Sequence, residues 1–451
     1  MKILEVDKEC ARIYNNPVQV DLGEEYSFEE VIRLFSNAYK DDERLWSPLG
    51  SKCRDCSFTS LDEESKLKSG FHECWEHEAN FTKEDFNKNL VLELWGGKAG
   101  SKSLVGDAVT NKKYFLSDLS EEDYYPKKFS PKESGLHPAE RRKMQIKLCG
   151  SNEKYLDKKG LERVFRELEA PWHFIDFETS MVALPFHKGR SPYEAIAFQY
   201  SYHIMDEKGN IEHKSQYLST DHRFPNYDFL RSLKKDLEHK KGTIFRYHNH
   251  ENNYLMFIYK QLLKENKRDV PDKDELINFL CHISHSKDKD YGKWQGDQDM
   301  QDLYELVLSY YYSPQAKGSN SLKYILPAAI HDSEWLRHKY SKPVYGTKEI
   351  PSLNFKNHIW INEKYDYNPY NTLPEVLNGY SNEDLDNYFS GLDEIRDGGA
   401  ALIAYSYLQF TDITNLQKNA IRNALFRYCE LDTMAMVMLW EFWGKEIGYF
   451  K

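Results

Sequence analysis

The chain has 451 residues, and at roughly 150 residues per domain this length predicts about two or three domains. Its 61 Lys and Arg against 72 Asp and Glu give a net charge of −11, which excludes a uniformly basic nucleic-acid coat but not an enzyme that binds nucleic acid locally. Aromatic residues make up 14%, which excludes a wholly disordered chain. There is no apolar run of about 18 residues, and Glu5 and Asp7 stand where a signal peptide needs an apolar stretch. We therefore expect a cytoplasmic protein with no membrane partner.

The order of the predicted elements divides the chain at about residue 165. Residues 1–165 contain a predicted helix at 27–37, a predicted strand at 89–97 and a basic, proline-containing stretch at 125–148. We interpret the basic stretch as a linker followed by a helix, with phosphate contact as the alternative. Residues 166–451 form the larger predicted domain, with an irregular insertion at about 331–397.

The seven cysteines are scattered, which predicts a reducing compartment rather than a disulfide framework. Cys53 and Cys56 form a C-x2-C pair, and Cys74 follows. Thiolates at such spacing suit Zn2+ or an iron–sulfur cluster. The sequence offers several candidates for a fourth ligand, namely Cys10, Cys149, His72 and His77. Three unligated thiols in a reduced protein are the alternative.

From residue 171 onward the pattern predicts an α/β domain. The first three predicted strands, at 173–179, 194–206 and 211–218, follow one another as hairpins. A helix at 228–237 and a fourth strand at 242–248 follow, and further helices are predicted at 254–263, 302–312 and 414–443. Hairpins followed by strand–helix alternation predict a mixed sheet flanked by helices.

The first of these strands carries Asp176 and Glu178. Residues i and i+2 of a strand point to the same face, so both carboxylates should project together while Phe177 faces a buried side. Two adjacent carboxylates repel each other unless a cation neutralises them, and Mg2+ or Mn2+ takes such oxygen ligands. An edge strand with solvated acids is the alternative.

Further polar residues follow at element ends. Tyr428 and Asp432 lie four apart on a predicted helix and therefore share one face. Glu251 opens another helix after a strand-end Asn249, and either metal binding or dipole complementarity explains it. Asp302, at the start of a helix, is explained by N-capping.

The segment GSNSLKY begins a further predicted helix. Ser319, Ser321 and Lys323 stand at its amino end, where they could hold a phosphate or serve an ordinary capped helix. The sequence alone does not decide between these two functions.

Together these motifs resemble the DEDD-type 3′–5′ exonucleases, which share the ribonuclease-H-like fold, and the Y-x3-D motif is similar to that of their tyrosine subclass. The runs FIDFET (174–179), SPYEAIAFQYS (191–201), GSNSLKYILPA (318–328) and YCELDT (428–433) are more closely similar to a bacterial nuclease-like domain family of unassigned function. In that family a cysteine-bearing N-terminal module often precedes the nuclease-like domain. The resemblance covers about residues 135–451.

The resemblance implies that two Mg2+ or Mn2+ ions are held by Asp176, Glu178, Glu251 and Asp432, with Tyr428 orienting the attacking water. It implies hydrolysis at a 3′ end of single-stranded DNA or RNA, with Tyr193, Asn249, Ser319, Ser321 and Lys323 contacting the substrate. Glu251 stands where the wider superfamily usually has Asp, so the alternative is a weak or inactive nucleic-acid-binding subunit that retains the fold. In a third interpretation the cysteine module is a redox or cluster-sensing element.

Overall fold

The structure, a computed structural model, describes residues 5–19, 25–60, 68–99, 102–125, 130, 132, 134–376 and 398–450. Its contacts divide the chain into two compact units. The first comprises Met1–Phe129 with Pro138–Ser151, and the second comprises Ser130–His137 with Asn152–Lys451. The predicted boundary at residue 165 falls within a helix of the second unit, Lys158–Glu167. Parts of two predicted segments lie outside the described residues. These are residues 377–397 of the predicted insertion and residues 126–129, 131 and 133 of the basic stretch.

The first unit consists mainly of short helices around a small apolar core that includes the fully buried Trp75. Its helices are α1 (Asp7–Asn15), α2 (Phe28–Lys40), α3 (Gly70–Ala79), α4 (Leu104–Thr110), α5 (Glu121–Tyr124) and α6 (Pro138–Lys147). Its strands form two antiparallel hairpins, β1 (Val18–Gln19) with β2 (Glu25–Tyr26) and β3 (Lys98–Ala99) with β4 (Lys102–Ser103). The 3-10 turns are Ser51–Asp55, Asp85–Asn87, Val91–Glu93 and Leu116–Asp118.

Two predictions for the first unit have opposite outcomes. The helix predicted at 27–37 is confirmed as α2, where Ser27 and Glu30 form a reciprocal capping box. The strand predicted at 89–97 is wrong, because Val91–Glu93 is a 3-10 helix. Val91 and Leu92 are both buried in the core, and a short apolar run does not distinguish a strand from another buried segment.

A five-stranded mixed sheet forms the centre of the second unit. Its strands are β6 (Trp172–Ser180), β7 (Ile196–Met205), β8 (Ile211–Leu218), β9 (Thr243–Arg246) and β12 (Gln301–Asp302), in the order β12-β9-β6-β7-β8. The pairs β6–β7 and β7–β8 are antiparallel, whereas β9 is parallel to both β6 and β12. The remaining strands form two small antiparallel pairs, β5 (Tyr155–Leu156) with β13 (Tyr311–Tyr312) and β10 (His285–Asp288) with β11 (Gly292–Gln295).

Helices cover both faces of this sheet. Those packed in one core are α7 (Lys158–Glu167), α11 (Leu303–Tyr310), α12 (Leu322–Asp332), α13 (Glu334–Tyr340), α14 (Gly398–Phe410) and α15 (Asn415–Glu446). Those packed in the other are α8 (Asn226–Leu237), α9 (His250–Lys264) and α10 (Lys273–Ile283). The 3-10 turns are Pro314–Ala316, Glu363–Tyr365 and Pro369–Thr372. The predicted α/β class with a mixed sheet is therefore confirmed. Within the described residues, no helix combines the length and the apolar character needed to cross a membrane.

The long helix α15 packs against the central strands through aromatic side chains. The ring of Trp440 stacks on Phe165, with centroids 3.9 Å apart and planes 11° apart. The same indole lies 5.4 Å from Trp172 on β6 and 4.7 Å from Phe245 on β9. Since Trp440 is fully buried, it joins α7, α15 and two strands in one core.

Replacing Trp440 with Ala should destabilise the second unit. We expect the free energy of unfolding to fall by about 3–5 kcal/mol, because the large cavity left behind cannot fully collapse. Urea titration followed by circular dichroism measures the loss. Leu184→Ala is the control, since Leu184 is 76% exposed and its truncation should cost less than about 0.5 kcal/mol. Equal losses of unfolding free energy for the two variants would contradict the role of Trp440 in the core.

Candidate functional site

Strand β6 presents Asp176 and Glu178 on one face of the sheet. Between them, Phe177 packs in the opposite core, with its ring centroid 4.8 Å from that of Phe229. The predicted arrangement, with both acids on one face and Phe177 on the other, is therefore confirmed. The register of pairing with β7 shifts directly between Glu178 and Thr179. Such irregularities can change the direction of side chains at the end of a strand.

Helix α15 brings Cys429 against these two acids. The Cys429 Sγ atom lies 3.7 Å from both the backbone oxygen and Oδ2 of Asp176. One ligand atom from each of Asp176, Glu178 and Cys429 lies within 4.8 Å of the others, so this group could hold a metal ion. Sequence reasoning did not identify Cys429, and its position directly after Tyr428 was the only available signal.

Glu251 reaches the same region from the neighbouring strand. Strand β9 pairs in parallel with β6 through Trp172–Phe174, so its carboxyl end lies at the same edge of the sheet as Asp176. Glu251 lies in the first turn of α9 and is only 1% exposed. Burial raises its pKa to about 8, although the backbone amides of Glu251 and Phe177 and the Arg246 guanidinium partly oppose this. Within the described part of the chain, its Oε2 atom has no hydrogen-bond partner.

An ion pair fixes the corner between β9 and α9. Arg246 Nη1 lies 2.6 Å from Asp302 Oδ2, and the His248 amide donates to Asp302 Oδ1 at 2.8 Å. His248 has a positive φ of 67°, an unusual conformation for a non-glycine residue that the surrounding contacts stabilise. Asp302 also accepts from the Tyr304 amide at 3.0 Å, which confirms its predicted N-cap role. The Arg246 pair was not predicted.

The four predicted acids influence one another's charge. Burial raises the pKa of Asp176 well above its usual value, and the charges of Asp432, Glu251 and Glu178 raise it further. The structure thus groups Asp176 with Glu178, and the charges of Asp432 and Glu251 act on the same carboxyl. The oxygens of Asp176 and Glu178, and the Glu251 Oε2 atom that has no hydrogen-bond partner among the described residues, fit hard divalent ions such as Mg2+ or Mn2+.

Two phenols lie beside Asp432. Burial raises the pKa of Asp432, while the Lys323 charge and the hydroxyls of Tyr370 and Tyr428 lower it. The Tyr370 hydroxyl donates to Asp432 Oδ1 at 2.5 Å. Tyr370 belongs to the 3-10 turn Pro369–Thr372, inside the predicted insertion. Sequence reasoning did not identify it, because the insertion shows no periodicity that would mark a buried residue.

A pocket of about 360 Å³ opens at these acids. It is lined by Asp176 and Asp432 together with Lys323 and Ser321. The Lys323 ammonium lies 5.1 Å from the Tyr428 ring centroid and 5.7 Å from that of Tyr370. Two of the predicted substrate residues, Ser321 and Lys323, therefore lie at the acidic site.

The other predicted substrate residues do not line this pocket. Ser319 Oγ accepts from the Ser321 amide at 3.3 Å and supports the turn before α12. Asn249 precedes α9, and its side-chain amide donates to Asn253 Oδ1 at 3.1 Å. Tyr193 is 65% exposed and lies in the loop between β6 and β7. The contacts of Ser319 and Asn249 are accounted for by local structure.

A buried polar network fixes the opposite side of α15. Glu430 Oε1 lies 3.1 Å from His213 Nδ1 and accepts from the Tyr345 hydroxyl at 2.6 Å. Burial raises the pKa of Glu430, but the His213 imidazole and the hydrogen bonds outweigh burial and lower it. Thr433 belongs to the same network, because its Oγ1 atom lies 2.8 Å from Ser201 Oγ. Because these residues adjoin Cys429 and Asp432, the network sets the rotation of α15.

The first unit brings its three predicted metal-binding cysteines into electrostatic contact. Burial raises the pKa of the Cys53 thiol, and Cys56 and Cys74 raise it further. Within the described residues, these sulfurs are not among the groups of metal-ligating atoms that lie within 4.8 Å of one another. Three of the fourth-ligand candidates have other partners, since His72 contacts Ser69, His77 contacts Glu78 and Cys149 contacts Asn89. The predicted Zn2+ or iron–sulfur centre stays a prediction.

Comparison with known families identifies a domain within the second unit. Residues 173–321 match a family described as a domain of unknown function (DUF2779). The match includes Asp176, Glu178 and Glu251 and ends before Tyr428 and Asp432. No curated protein and no solved structure matches the chain. The expected similarity to a family of unassigned function is thus supported over these residues, and the exonuclease relationship stays a prediction.

The pKa of Glu251 predicts how stability depends on pH without metal. A carboxyl whose pKa is raised on folding stabilises the fold while protonated, and this contribution is lost as the pH rises toward about 8. In EDTA, we expect the unfolding free energy of wild type to fall relative to that of Glu251→Gln as the pH rises. The relative loss should be up to about 1.4 kcal/mol per pH unit between about pH 5 and 8. Urea titrations across this range measure it. Glu275→Gln, at a residue with a 74% exposed side chain, is the control and should show no such trend. A pH-independent difference for Glu251→Gln would contradict the assignment.

Tyr370 should strengthen metal binding through Asp432. Its hydroxyl stabilises the ionised carboxylate, so Tyr370→Phe should weaken Mn2+ binding about tenfold, as the loss of a hydrogen-bond partner to a metal ligand commonly does. Isothermal titration calorimetry measures the affinity. Tyr365→Phe removes a phenol from the neighbouring 3-10 turn and serves as the matched control. Unchanged or tighter binding by Tyr370→Phe would show that the phenol does not support the metal ligand.

Proposed function

We propose that the second unit hydrolyses phosphodiester bonds with the aid of two divalent ions, as a 3′–5′ exonuclease on single-stranded DNA or RNA. The observation that carries this proposal is the convergence of Asp176, Glu178, Glu251 and Asp432. Ligand atoms of Asp176 and Glu178 lie within 4.8 Å of each other, Asp432 lines the same pocket as Asp176, and the charge of Glu251 acts on Asp176. Carboxylates brought together at this density fit two Mg2+ or Mn2+ ions.

Two bound ions would activate a water molecule and stabilise the leaving 3′-oxygen. The chain's own residues supply the remaining functions. In this proposal Tyr428, whose hydroxyl lowers the pKa of Asp432, orients the water. Lys323 offers its positive charge to a phosphate, and Ser321 offers a hydroxyl that makes no capping hydrogen bond at the start of α12.

The fold supports the same proposal. Three antiparallel strands come first, and two parallel strands are then added beside the first of them. This mixed sheet is compatible with the ribonuclease-H-like fold implied by the resemblance. In this proposal Glu251 takes the position of the usual Asp, and its charge acts on Asp176 from beyond the end of β9.

A second candidate function is a weak or inactive nucleic-acid-binding subunit. Glu251 favours it, because the wider superfamily usually has Asp there and because burial raises the Glu251 pKa to about 8, which opposes the ionised form that a metal ligand needs. A binding subunit would retain single strands without cleaving them in any divalent ion. The two candidates therefore differ in turnover.

A labelled single strand with Mn2+ tests the proposal. We expect wild type to shorten a 5′-labelled oligonucleotide progressively, and Asp176→Ala and Asp432→Asn each to lower the rate by about 10³-fold, because bound ions contribute several kcal/mol to catalysis. Glu275→Gln is the control, since Glu275 is an exposed acid and should leave the rate unchanged.

Blocking the 3′ end of the oligonucleotide tests the direction of cleavage and should stop it. Cleavage that survives EDTA, or equal rates for wild type and Asp176→Ala, would overturn the proposed chemistry. Binding of the strand with no turnover in Mg2+ or Mn2+ would favour the second candidate.

A further inference from the structure

Cys429 adds a soft ligand atom to the acidic site. It is fully buried on α15, and its Sγ atom lies 3.7 Å from both the backbone oxygen and Oδ2 of Asp176. A buried cysteine more commonly packs as a small apolar side chain. Here the sulfur lies against a carboxylate that the proposed chemistry assigns to a metal ion.

The spacing of three atoms in this group suits a single ion. One ligand atom from each of Asp176, Glu178 and Cys429 lies within 4.8 Å of the others, and the part of the chain that the structure describes contains no other such group. An ion bound tetrahedrally at about 2.3 Å from sulfur and about 2.0 Å from oxygen separates these two ligands by about 3.5 Å. The distance of 3.7 Å between Cys429 Sγ and Asp176 Oδ2 is close to this value. The thiol and the carboxylate can therefore bind one ion with little movement.

Glu251 gives independent support for a cation at this place. It is only 1% exposed, and among the described residues its Oε2 atom has no hydrogen-bond partner. A buried carboxylate oxygen without a partner is unfavourable unless a cation neutralises it. The charge of Glu251 acts on Asp176, the residue that Cys429 contacts. The unpartnered oxygen and the sulfur therefore both influence the same carboxyl.

The group also has an open side. Asp176 lines the pocket of about 360 Å³, through which an ion and a water molecule can reach it. Asp432 lines the same pocket and stands three residues after Cys429 on α15, a spacing that places both on one face of the helix. Catalytic zinc sites commonly have three protein ligands and leave a fourth position for water. Asp176, Glu178 and Cys429 match this number of ligands.

We propose that Cys429 is a metal ligand together with Asp176 and Glu178, and that its sulfur makes this position selective for Zn2+ over Mg2+. The inference rests on the proposed function for the reaction that the ion serves, but its test needs no cleavage. Thiolates favour zinc, whereas Mg2+ prefers oxygen ligands. The Cys429 thiol would release its proton when it binds the ion. In the proposed pair of ions, only this position would then have a sulfur ligand.

Ultraviolet titration of the full chain with Cd2+ tests for the sulfur ligand, because a cadmium–thiolate bond gives a charge-transfer band. We expect Cys429→Ser to lose the absorbance of one thiolate, and Asp176→Asn to weaken Cd2+ binding at Cys429 about tenfold or more. Cys281→Ser is the matched control, since this cysteine lies on α10 and should leave the band unchanged. Circular dichroism checks that each variant is folded. Equal bands for wild type and Cys429→Ser, or an unchanged titration for Asp176→Asn, would overturn the proposed ligand.

Displacement of bound Mn2+ tests the selectivity. Mn2+ prefers oxygen ligands, so its electron paramagnetic resonance signal reports on the acidic site rather than on Cys53, Cys56 and Cys74. The measurement compares the buffered free concentrations of Zn2+ and Mg2+ that displace half of the Mn2+. We expect Cys429→Ser to reduce the preference for Zn2+ about tenfold or more, and Cys281→Ser to retain it. An equal preference in wild type and Cys429→Ser would overturn the role of the sulfur in selectivity.

The outcomes separate the two proposals. Equal bands and equal preferences for wild type and Cys429→Ser, while wild type cleaves a single strand, would overturn the role of Cys429 and leave the nuclease proposal intact. Loss of the thiolate band in Cys429→Ser, with no cleavage by wild type in any divalent ion including Zn2+, would support the metal position and overturn the nuclease.

Discussion

Electrostatic repulsion among carboxylates in one largely buried site is the constraint on which the second unit depends. Asp176, Glu178, Glu251 and Asp432 come from a strand and two helices, and three of the four are at least nine-tenths buried. Without cations such a group stays together only if the framework is rigid and some carboxyls retain protons. Burial raises the pKa values of Asp176, Glu251 and Asp432, and repulsion by the other three acids raises that of Asp176 further. A cluster that is unfavourable in itself but held by so much structure is typical of a functional site.

The framework that opposes this repulsion is polar on one side and apolar on the other. Helix α15 is tied by Glu430 and Thr433 to β7 and β8, and by Trp440 to β6, β9 and α7. The ion pair between Arg246 and Asp302 fixes the corner that carries Glu251. Because a buried ion pair contributes little net stability when its desolvation is counted, we interpret both pairs as devices that fix orientation. The apolar packing of α15 supplies the stability.

Much of this arrangement could be predicted from the sequence, and for a physical reason. The alternation of side chains along β6 predicts that Asp176 and Glu178 share one face of the strand. The i, i+4 spacing predicts that Tyr428 and Asp432 share one face of α15. Local backbone geometry fixes both relations. Tyr370 could not be found in this way, since it reaches Asp432 through an irregular segment whose path depends on tertiary packing. The strand wrongly predicted at 89–97 has a similar cause. The burial of a short apolar run does not determine whether its backbone is a strand or a 3-10 helix.

The distribution of charge explains how an acidic chain could bind nucleic acid in the proposed way. At physiological ionic strength, charges beyond about 8 Å are largely screened, so the net −11 matters less than the groups within one Debye length of a phosphate. Around the acidic site those groups include Lys323. Bound divalent ions would reverse the sign of the carboxylate cluster itself. The negative surface elsewhere would then repel the phosphates of a strand. The strand would bind only where bound metal ions and basic residues lie together, so the acidity of the chain would make binding selective for this site.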